Sequence, residues 1–116
     1  MRIWHATLIP KLCQKHLCAM WREGLGAWAI LNNPQRKSPY RNHPAVKEFW
    51  YAPAALYYRL SIVRAEMVAR GYNPKPLPLP FSAYPKDVIK EWQTFEEQLE
   101  ILKMKRKTIK NCTCEV

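Results

Sequence analysis

Residues 10–31 read PKLCQKHLCAMWREGLGAWAIL, and this stretch decides the fold. Its apolar residues recur at helical spacing and cover most of the circumference, whereas Lys11, Lys15 and Arg22 fall on one polar stripe. Pro10 suits the first turn of a helix, so we predict one helix over the whole stretch. Because so wide an apolar surface must be covered by other elements, we expect this helix to run through the middle of the domain.

Two further long helices are predicted after the central one. Pro53 begins the second, which ends at Arg70, where Gly71 supplies a left-handed cap. The third runs from about Pro85 to Lys107, with acidic residues early and basic residues late, as the helix dipole favours.

The connections between these helices have their own composition. The turn-rich, basic stretch 32–39 predicts an exposed loop, and a short helical piece follows over residues 45–51. Residues 73–80 place Pro at every second position, which forbids a helix and favours an extended strap. Such a strap could bind an SH3-like module, but in so short a chain we interpret it as a rigid connector laid across the helices. The sequence therefore predicts an all-α fold: a single compact domain over residues 1–116, with three main helices and an extended proline-rich connector.

The charge of the chain points to a polyanionic partner. The formal net charge is +10, and all of the excess lies in residues 1–86, because residues 87–116 contain six basic and six acidic residues. Nucleic acid is favoured as the partner over an anionic membrane surface. No signal peptide is visible, and no apolar run approaches the roughly 20 residues that a membrane span needs. We therefore expect no membrane association.

Four cysteines occur as two pairs, Cys13 with Cys18 and Cys112 with Cys114. Neither pair has zinc spacing, and the second has no further ligand pair or well-placed histidine to complete a tetrahedral site. The sequence therefore predicts no metal and no other cofactor. We interpret the first pair as small core or boundary residues. No disulfide is required, so we expect a reducing cytoplasm, and we expect a monomer.

One position on the central helix is unusual for a packed surface. The carboxylate of Glu23 follows Arg22 and precedes two glycines, which remove side-chain bulk where a ligand or another backbone could approach. His16 lies seven residues before Glu23, on the same face at roughly 10 Å, so the two could line one groove with Ala19 between them. From spacing alone, a solvated Glu23 and a boundary His16 remain the alternative.

Several blocks of the sequence resemble the pyrimidine-dimer DNA glycosylase family, which comprises the phage endonuclease V group and its relatives. Residues 16–23 (HLCAMWRE) resemble the family pattern H-L-x-A-x-aromatic-R-E at the same distance from the N-terminus. Residues 1–4 (MRIW), 40–44 (YRNHP) and 66–72 (EMVARGY) resemble the bacterial branch. Together the blocks cover about residues 1–74.

The resemblance implies a helical DNA-repair glycosylase that is also an abasic-site lyase and flips nucleotides out of double-stranded DNA at pyrimidine dimers. In that family the nucleophile is the α-amine of the first residue and the glutamate of the R-E pair is essential, so these roles fall on Met1 and Glu23. The chemistry suits an α-amine, because a pKa of roughly 7.7 to 8.0 leaves about a tenth neutral near pH 7. Attack at the sugar carbon would give an imine and permit strand cleavage, while the carboxylate stabilises the sugar cation and moves protons.

On this interpretation the basic residues acquire roles at the DNA. Arg2 and Arg22 would hold phosphates around the flipped nucleotide, and His16 and His43 would contact the distorted strand. The residues expected to extend the basic track are Lys11, Lys15, Arg36, Lys37 and Arg41. Solvated surface charge is the alternative for most of this track.

The chain departs from the family pattern at both ends. Members commonly start Met-Thr and lose the methionine, whereas Arg2 is too large for methionine aminopeptidase, so Met1 should stay and supply the amine. Nothing after Trp92 resembles the aromatic-basic C-terminal segment of the phage members. This departure weakens the expectation of specificity for pyrimidine dimers more than the expectation of catalysis. A non-catalytic helical nucleic-acid-binding protein on the same scaffold remains the alternative. We expect a bacterial cytoplasm or nucleoid, or a phage-encoded protein in its host's cytoplasm.

Overall fold

The computed structural model describes residues 2–33, 35, 37–78 and 91–116. Within these residues, a 3-10 helix, Ala6–Lys11, precedes four α-helices. The α-helices are α1, Gln14–Asn32; α2, Pro44–Lys47; α3, Pro53–Ala69; and α4, Phe95–Thr108. This part of the chain contains no β-strand, so the all-α prediction is confirmed. Within it, no helix is both long and apolar enough to cross a membrane.

The central helix begins later than predicted. Pro10 belongs to the separate 3-10 helix, and Leu12 and Cys13 have extended backbones, so α1 starts only at Gln14. Its end at Asn32 lies one residue beyond the predicted one. The buried residues of α1 lie around much of its circumference and are His16, Leu17, Met20, Trp21, Gly24, Ala27, Trp28 and Ile30. The predicted position of this helix inside the molecule is therefore confirmed.

Helix α3 packs against α1 and the 3-10 helix. It starts at Pro53 as predicted, and its C-terminal cap is also confirmed. Gly71 has a φ of 86° and donates its N–H to the Val68 carbonyl at 3.0 Å, while Tyr72 donates to the Met67 carbonyl at 2.9 Å. These two bonds form a Schellman motif, which requires the left-handed backbone that glycine adopts without strain.

Helix α4 begins at Phe95, which corrects the predicted start near Pro85. Residues 91–94 are not helical, and the part of the helix prediction over residues 85–90 lies outside the described residues. The Thr94 side chain accepts the Glu97 N–H at 3.1 Å, and the Glu97 carboxylate accepts the Thr94 N–H at 3.3 Å. This reciprocal capping box satisfies two N–H groups and fixes the start of the helix.

The segment before α3 is less helical than predicted. Over residues 45–51 only α2 is helical, and turns follow from residue 48. His43 caps α2, because its Nδ1 atom accepts the Ala45 N–H at 3.1 Å. That acceptor role places the ring proton on Nε2 when the imidazole is neutral.

The proline-rich strap lies against α3 in the part that the structure describes. Residues 72–78 have no regular secondary structure, as predicted, whereas residues 79 and 80 lie outside the described residues. Arg64 of α3 donates to the carbonyls of Lys75 at 3.0 Å and Pro74 at 3.4 Å. Leu77 packs against the core. These contacts agree with a connector laid across the helices.

Gln98 of α4 holds the N-terminal segment in place. Its side chain is 1% exposed, accepts the His5 N–H at 2.7 Å and donates to the Ile3 carbonyl at 3.1 Å. Both bonds satisfy main-chain groups of a segment that has no helix or strand partner of its own. As a result, the segment that carries Arg2 is held beside α4.

The two glycines of α1 play different parts. A Cβ atom on Gly24 would lie 2.5 Å from Leu60 Cδ2, whereas one on Gly26 would meet nothing within 4 Å. Gly24 therefore permits α3 to approach α1. Of the ligand or backbone that was predicted to approach at this position, the structure shows another helix. Gly26 is exposed.

Alanine substitutions at these two glycines should change the free energy of unfolding in opposite directions. We expect Gly26→Ala to raise the free energy of unfolding by about 1 kcal/mol, because alanine is the better helix former. Gly24→Ala should lower it by about 1 to 2 kcal/mol, since overpacking against the buried Leu60 outweighs the same gain. Urea denaturation of both variants measures the difference. Equal stabilisation by both would show that Leu60 moves aside freely.

Candidate active site

Glu23 lines a cavity of about 100 Å³. Its lining residues come from the N-terminal segment, α1 and α4 and are Arg2, Trp4, His16, Ala19, Met20, Glu23 and Lys105. His16, Ala19 and Glu23 thus line one groove, as the helical spacing predicted. The cavity combines one carboxylate with two cationic side chains.

The Glu23 carboxylate is tied to the N-terminal segment through the main chain. The backbone N–H of Arg2 donates to Glu23 Oε2 at 3.0 Å. A hydrogen bond from an amide to an ionised carboxylate is stronger than one between neutral groups. The bond therefore fixes the start of the described chain against the middle of α1.

The Arg2 side chain lies between two indole rings. Its guanidinium carbon is 5.4 Å from the ring centroid of Trp4 and 5.4 Å from that of Trp92, and Nε donates to Gln93 Oε1 at 3.0 Å. Burial lowers the pKa of Arg2 from its ordinary value, while Glu23 opposes that shift. Arginine still keeps its charge at neutral pH, so the cation is held in place by aromatic faces and one amide.

His43 also packs against Trp92. The two rings meet edge to face, with centroids 5.6 Å apart. Burial lowers the pKa of His43 below its ordinary value, as it does for His16, where Lys105 and Lys15 act in the same direction. Both imidazoles are therefore neutral near pH 7, so a DNA contact from either would be a hydrogen bond or a stacking contact.

His16 also faces a cluster of sulfur atoms, which corrects one prediction. Its Nδ1 atom lies 3.2 Å from Cys13 Sγ, 3.2 Å from Cys114 Sγ and 3.7 Å from Cys112 Sγ. The prediction that Cys112 and Cys114 have no well-placed histidine is wrong, and the prediction of no metal loses its basis. The partners are 96 and 98 residues apart in the chain, a separation that motif spacing does not detect.

The other predicted DNA contacts do not gather at this cavity. Arg41 is half-buried and donates to the Asn33 carbonyl at 2.7 Å, while Met1 and Arg36 lie outside the described residues. The exposed basic residues among the predicted contacts are Lys11, Lys15, Arg22 and Lys37. Contact with DNA stays a prediction for all of them.

Sequence reasoning missed four residues around Glu23 and Arg2. They are Trp4, Trp92, Gln93 and Lys105. Trp4 lies in one of the blocks that carry the family resemblance, which was a usable signal. Lys105 belongs to a run of basic residues that the helix dipole explains equally well, so no local feature distinguishes it from its neighbours.

Comparisons with known proteins agree with the resemblance. The family model described as pyrimidine dimer DNA glycosylase matches residues 1–77. A search of curated proteins and a search of solved structures each gave no significant match. The matched region includes α1 with Glu23, the N-terminal segment that bonds to it, and α3. The chain therefore belongs to the pyrimidine dimer DNA glycosylase family.

Proposed function

We propose that this protein is a DNA glycosylase and abasic-site lyase that excises damaged pyrimidines, pyrimidine dimers in particular, from double-stranded DNA. The nucleophile is the α-amine of Met1, and the catalytic carboxylate is Glu23. Membership of the family supports the DNA glycosylase activity. The roles of the two residues rest on the geometry around Glu23.

One hydrogen bond carries the proposal. The N–H of Arg2 lies 3.0 Å from Glu23 Oε2, and one residue of chain spans at most about 3.6 Å. The α-amine of the preceding residue therefore cannot lie farther than roughly 7 Å from that carboxylate oxygen. A sugar carbon placed between the amine and the carboxylate would therefore be within reach of both groups.

The reaction needs these two groups and no cofactor. The neutral amine forms a bond to the sugar C1′ atom while the bond from C1′ to the base breaks, and the base leaves with the electron pair. One proton then passes from the attached nitrogen to the ring oxygen O4′, the C1′–O4′ bond breaks, and the opened sugar is a protonated imine, which makes the C2′ proton acidic. Removal of that proton expels the phosphate at C3′ and cleaves the strand. Glu23 stabilises the positive charge at C1′, passes the amine proton on to O4′ and, as a carboxylate again, accepts the proton that C2′ releases.

The size and charge of the cavity suit attack at a sugar. At about 100 Å³, it is smaller than the roughly 300 Å³ of small-molecule pockets, and the edge of a sugar fits a cavity of this size. Lys105 shares the cavity and Arg22 is exposed next to Glu23. Their charges favour the flanking phosphates.

Borohydride trapping tests the proposal. We expect the protein to form a covalent adduct with an abasic duplex, and with a UV-irradiated duplex, when borohydride reduces the imine. Peptide mapping should find the adduct on the N-terminal residue and not on Lys105, the lysine that lines the cavity. A chain acetylated at its N-terminus should give no adduct, because the amide nitrogen is not nucleophilic.

Three outcomes would contradict this assignment. The absence of an adduct with either duplex would favour the non-catalytic nucleic-acid-binding protein. An adduct that still forms after N-terminal acetylation would show that a lysine is the nucleophile. An intact mass that shows a formylated or acetylated Met1 in the native protein would exclude the amine.

A further inference from the structure

Four buried side chains from opposite ends of the chain meet beside the first turn of α1. They are Cys13, His16, Cys112 and Cys114, which are 6%, 8%, 3% and 2% exposed. Their sulfur atoms and one imidazole nitrogen all lie within 4.8 Å of one another. We refer to these four residues as the sulfur cluster.

The backbone brings the two halves of the sulfur cluster together. Cys13 is the N-cap of α1, with His16 in the first turn. After α4 the chain turns at Asn111, whose φ of 67° is left-handed. The Glu115 N–H then donates to the Lys11 carbonyl at 2.7 Å. This bond holds the C-terminal segment against the start of α1.

We propose that the sulfur cluster binds one Zn²⁺ ion in a tetrahedral site. At Zn–S distances of about 2.3 Å and Zn–N distances of about 2.0 Å, tetrahedral geometry separates two sulfurs by ~3.8 Å and a sulfur from the nitrogen by ~3.5 Å. Cys112 Sγ and Cys114 Sγ are 3.6 Å apart, and the three sulfurs lie 3.2 to 3.7 Å from His16 Nδ1. Three thiolates and one imidazole are a zinc-binding set.

Hydrogen bonding alone does not account for the sulfur cluster. An imidazole nitrogen has either one proton or one lone pair, so Nδ1 cannot bond to all three sulfurs at once. An ion at the centre would bond to all four atoms. The Cys13 backbone N–H donates to Cys114 Sγ at 3.1 Å, and such a bond stabilises a metal-bound thiolate from outside the coordination sphere.

The zinc would have a structural role, because four protein ligands leave no open position for a water or substrate. Two ligands lie within residues 1–77, which match the family model, and two lie beyond them. The ion would therefore fasten the C-terminal segment to the family region. His16 also lines the cavity around Glu23, so the zinc would hold one wall of that cavity.

The test measures bound metal and does not depend on the proposed enzymatic activity. The full chain is purified under reducing conditions, without a metal-affinity tag, and its zinc content is measured by mass spectrometry. We expect one zinc per chain. Exchange for Co²⁺ should give the absorption bands of a tetrahedral cobalt ion with thiolate ligands.

Serine substitutions identify the ligands. Cys114→Ser should lose the zinc and melt about 5 to 10 °C lower. The matched control is Cys18→Ser, which changes the remaining cysteine, lies outside the sulfur cluster, and should keep one zinc. If Cys114→Ser does not fold, the zinc content and cobalt spectrum of the unaltered protein decide the matter.

Two results would overturn the proposal. One is a reduced, folded protein that contains no zinc and whose melting temperature does not rise when zinc is added. The other is an intact mass lower by two hydrogens, with a disulfide mapped to the sulfur cluster in the protein as isolated.

Discussion

Replacing Glu23 with glutamine should slow strand cleavage at an abasic site by about 1,000-fold. Glutamine has nearly the same shape, and its carbonyl oxygen can still accept the Arg2 N–H that bonds to the carboxylate at 3.0 Å. The change therefore removes a negative charge and a proton acceptor and leaves the N-terminal segment in place. DNA affinity should be kept or slightly increased, because one fewer negative charge faces the phosphates.

Single-turnover cleavage of an abasic duplex measures the rate, and fluorescence anisotropy at fixed salt measures affinity. The matched control is Glu66→Gln, which changes a carboxylate of α3 that bonds to Arg70 at 2.9 Å and does not line the cavity. We expect this control to cleave like the unaltered protein. Cleavage by Glu23→Gln at the rate of the control would contradict the catalytic role of the carboxylate.

Replacing Gln98 with methionine should lower the free energy of unfolding by about 3 kcal/mol. Methionine fills a similar volume but offers no partner to the His5 N–H or the Ile3 carbonyl, which bond to Gln98 at 2.7 and 3.1 Å. Each main-chain group left buried and unbonded costs about 1 to 3 kcal/mol. For a domain of this size the melting temperature should fall by roughly 12 °C.

Thermal unfolding followed by circular dichroism checks this prediction. Gln14→Met is the matched control, since Gln14 is exposed and the same chemical change there should shift the melting temperature by less than about 2 °C. If Gln98→Met had the same melting temperature as the control, the two hydrogen bonds would contribute little to stability. The loss should be larger than that of any exposed substitution, because the bonds join the N-terminal segment to α4.

Local sequence signals were sufficient for α3 but not for the start of α1. Pro53 and Gly71 act on the backbone of their own neighbours, so they mark the ends of α3 wherever it packs. The break between the 3-10 helix and α1 depends on distant contacts. The Cys13 N–H donates to Cys114 Sγ, and the Lys11 carbonyl accepts the Glu115 N–H. No pattern within residues 10–31 encodes those partners.

The candidate site was predictable to the same limited extent. Helical spacing placed His16 and Glu23 in one groove, because both lie on the same helix. Lys105 and Trp92 reach the site only through the packing of α4 and the segment before it, which periodicity within one element cannot predict. The sulfur cluster was missed for the same reason, since zinc motifs are recognised by short spacings and this one joins both ends of the chain.

The contact between Arg2 and Glu23 also bears on how the gene can change. The donor is the main-chain N–H, which every amino acid except proline possesses. Replacement of Arg2 by another large residue other than proline therefore preserves this bond, although it alters the side chain between the two tryptophans. A small residue at this position would instead allow removal of Met1 and turn the amide into the terminal amine. The α-amine proposed as nucleophile is likewise independent of side-chain identity. Under that proposal, selection on the reacting groups themselves would fix the side chain of Glu23 but only the size of the side chain at position 2.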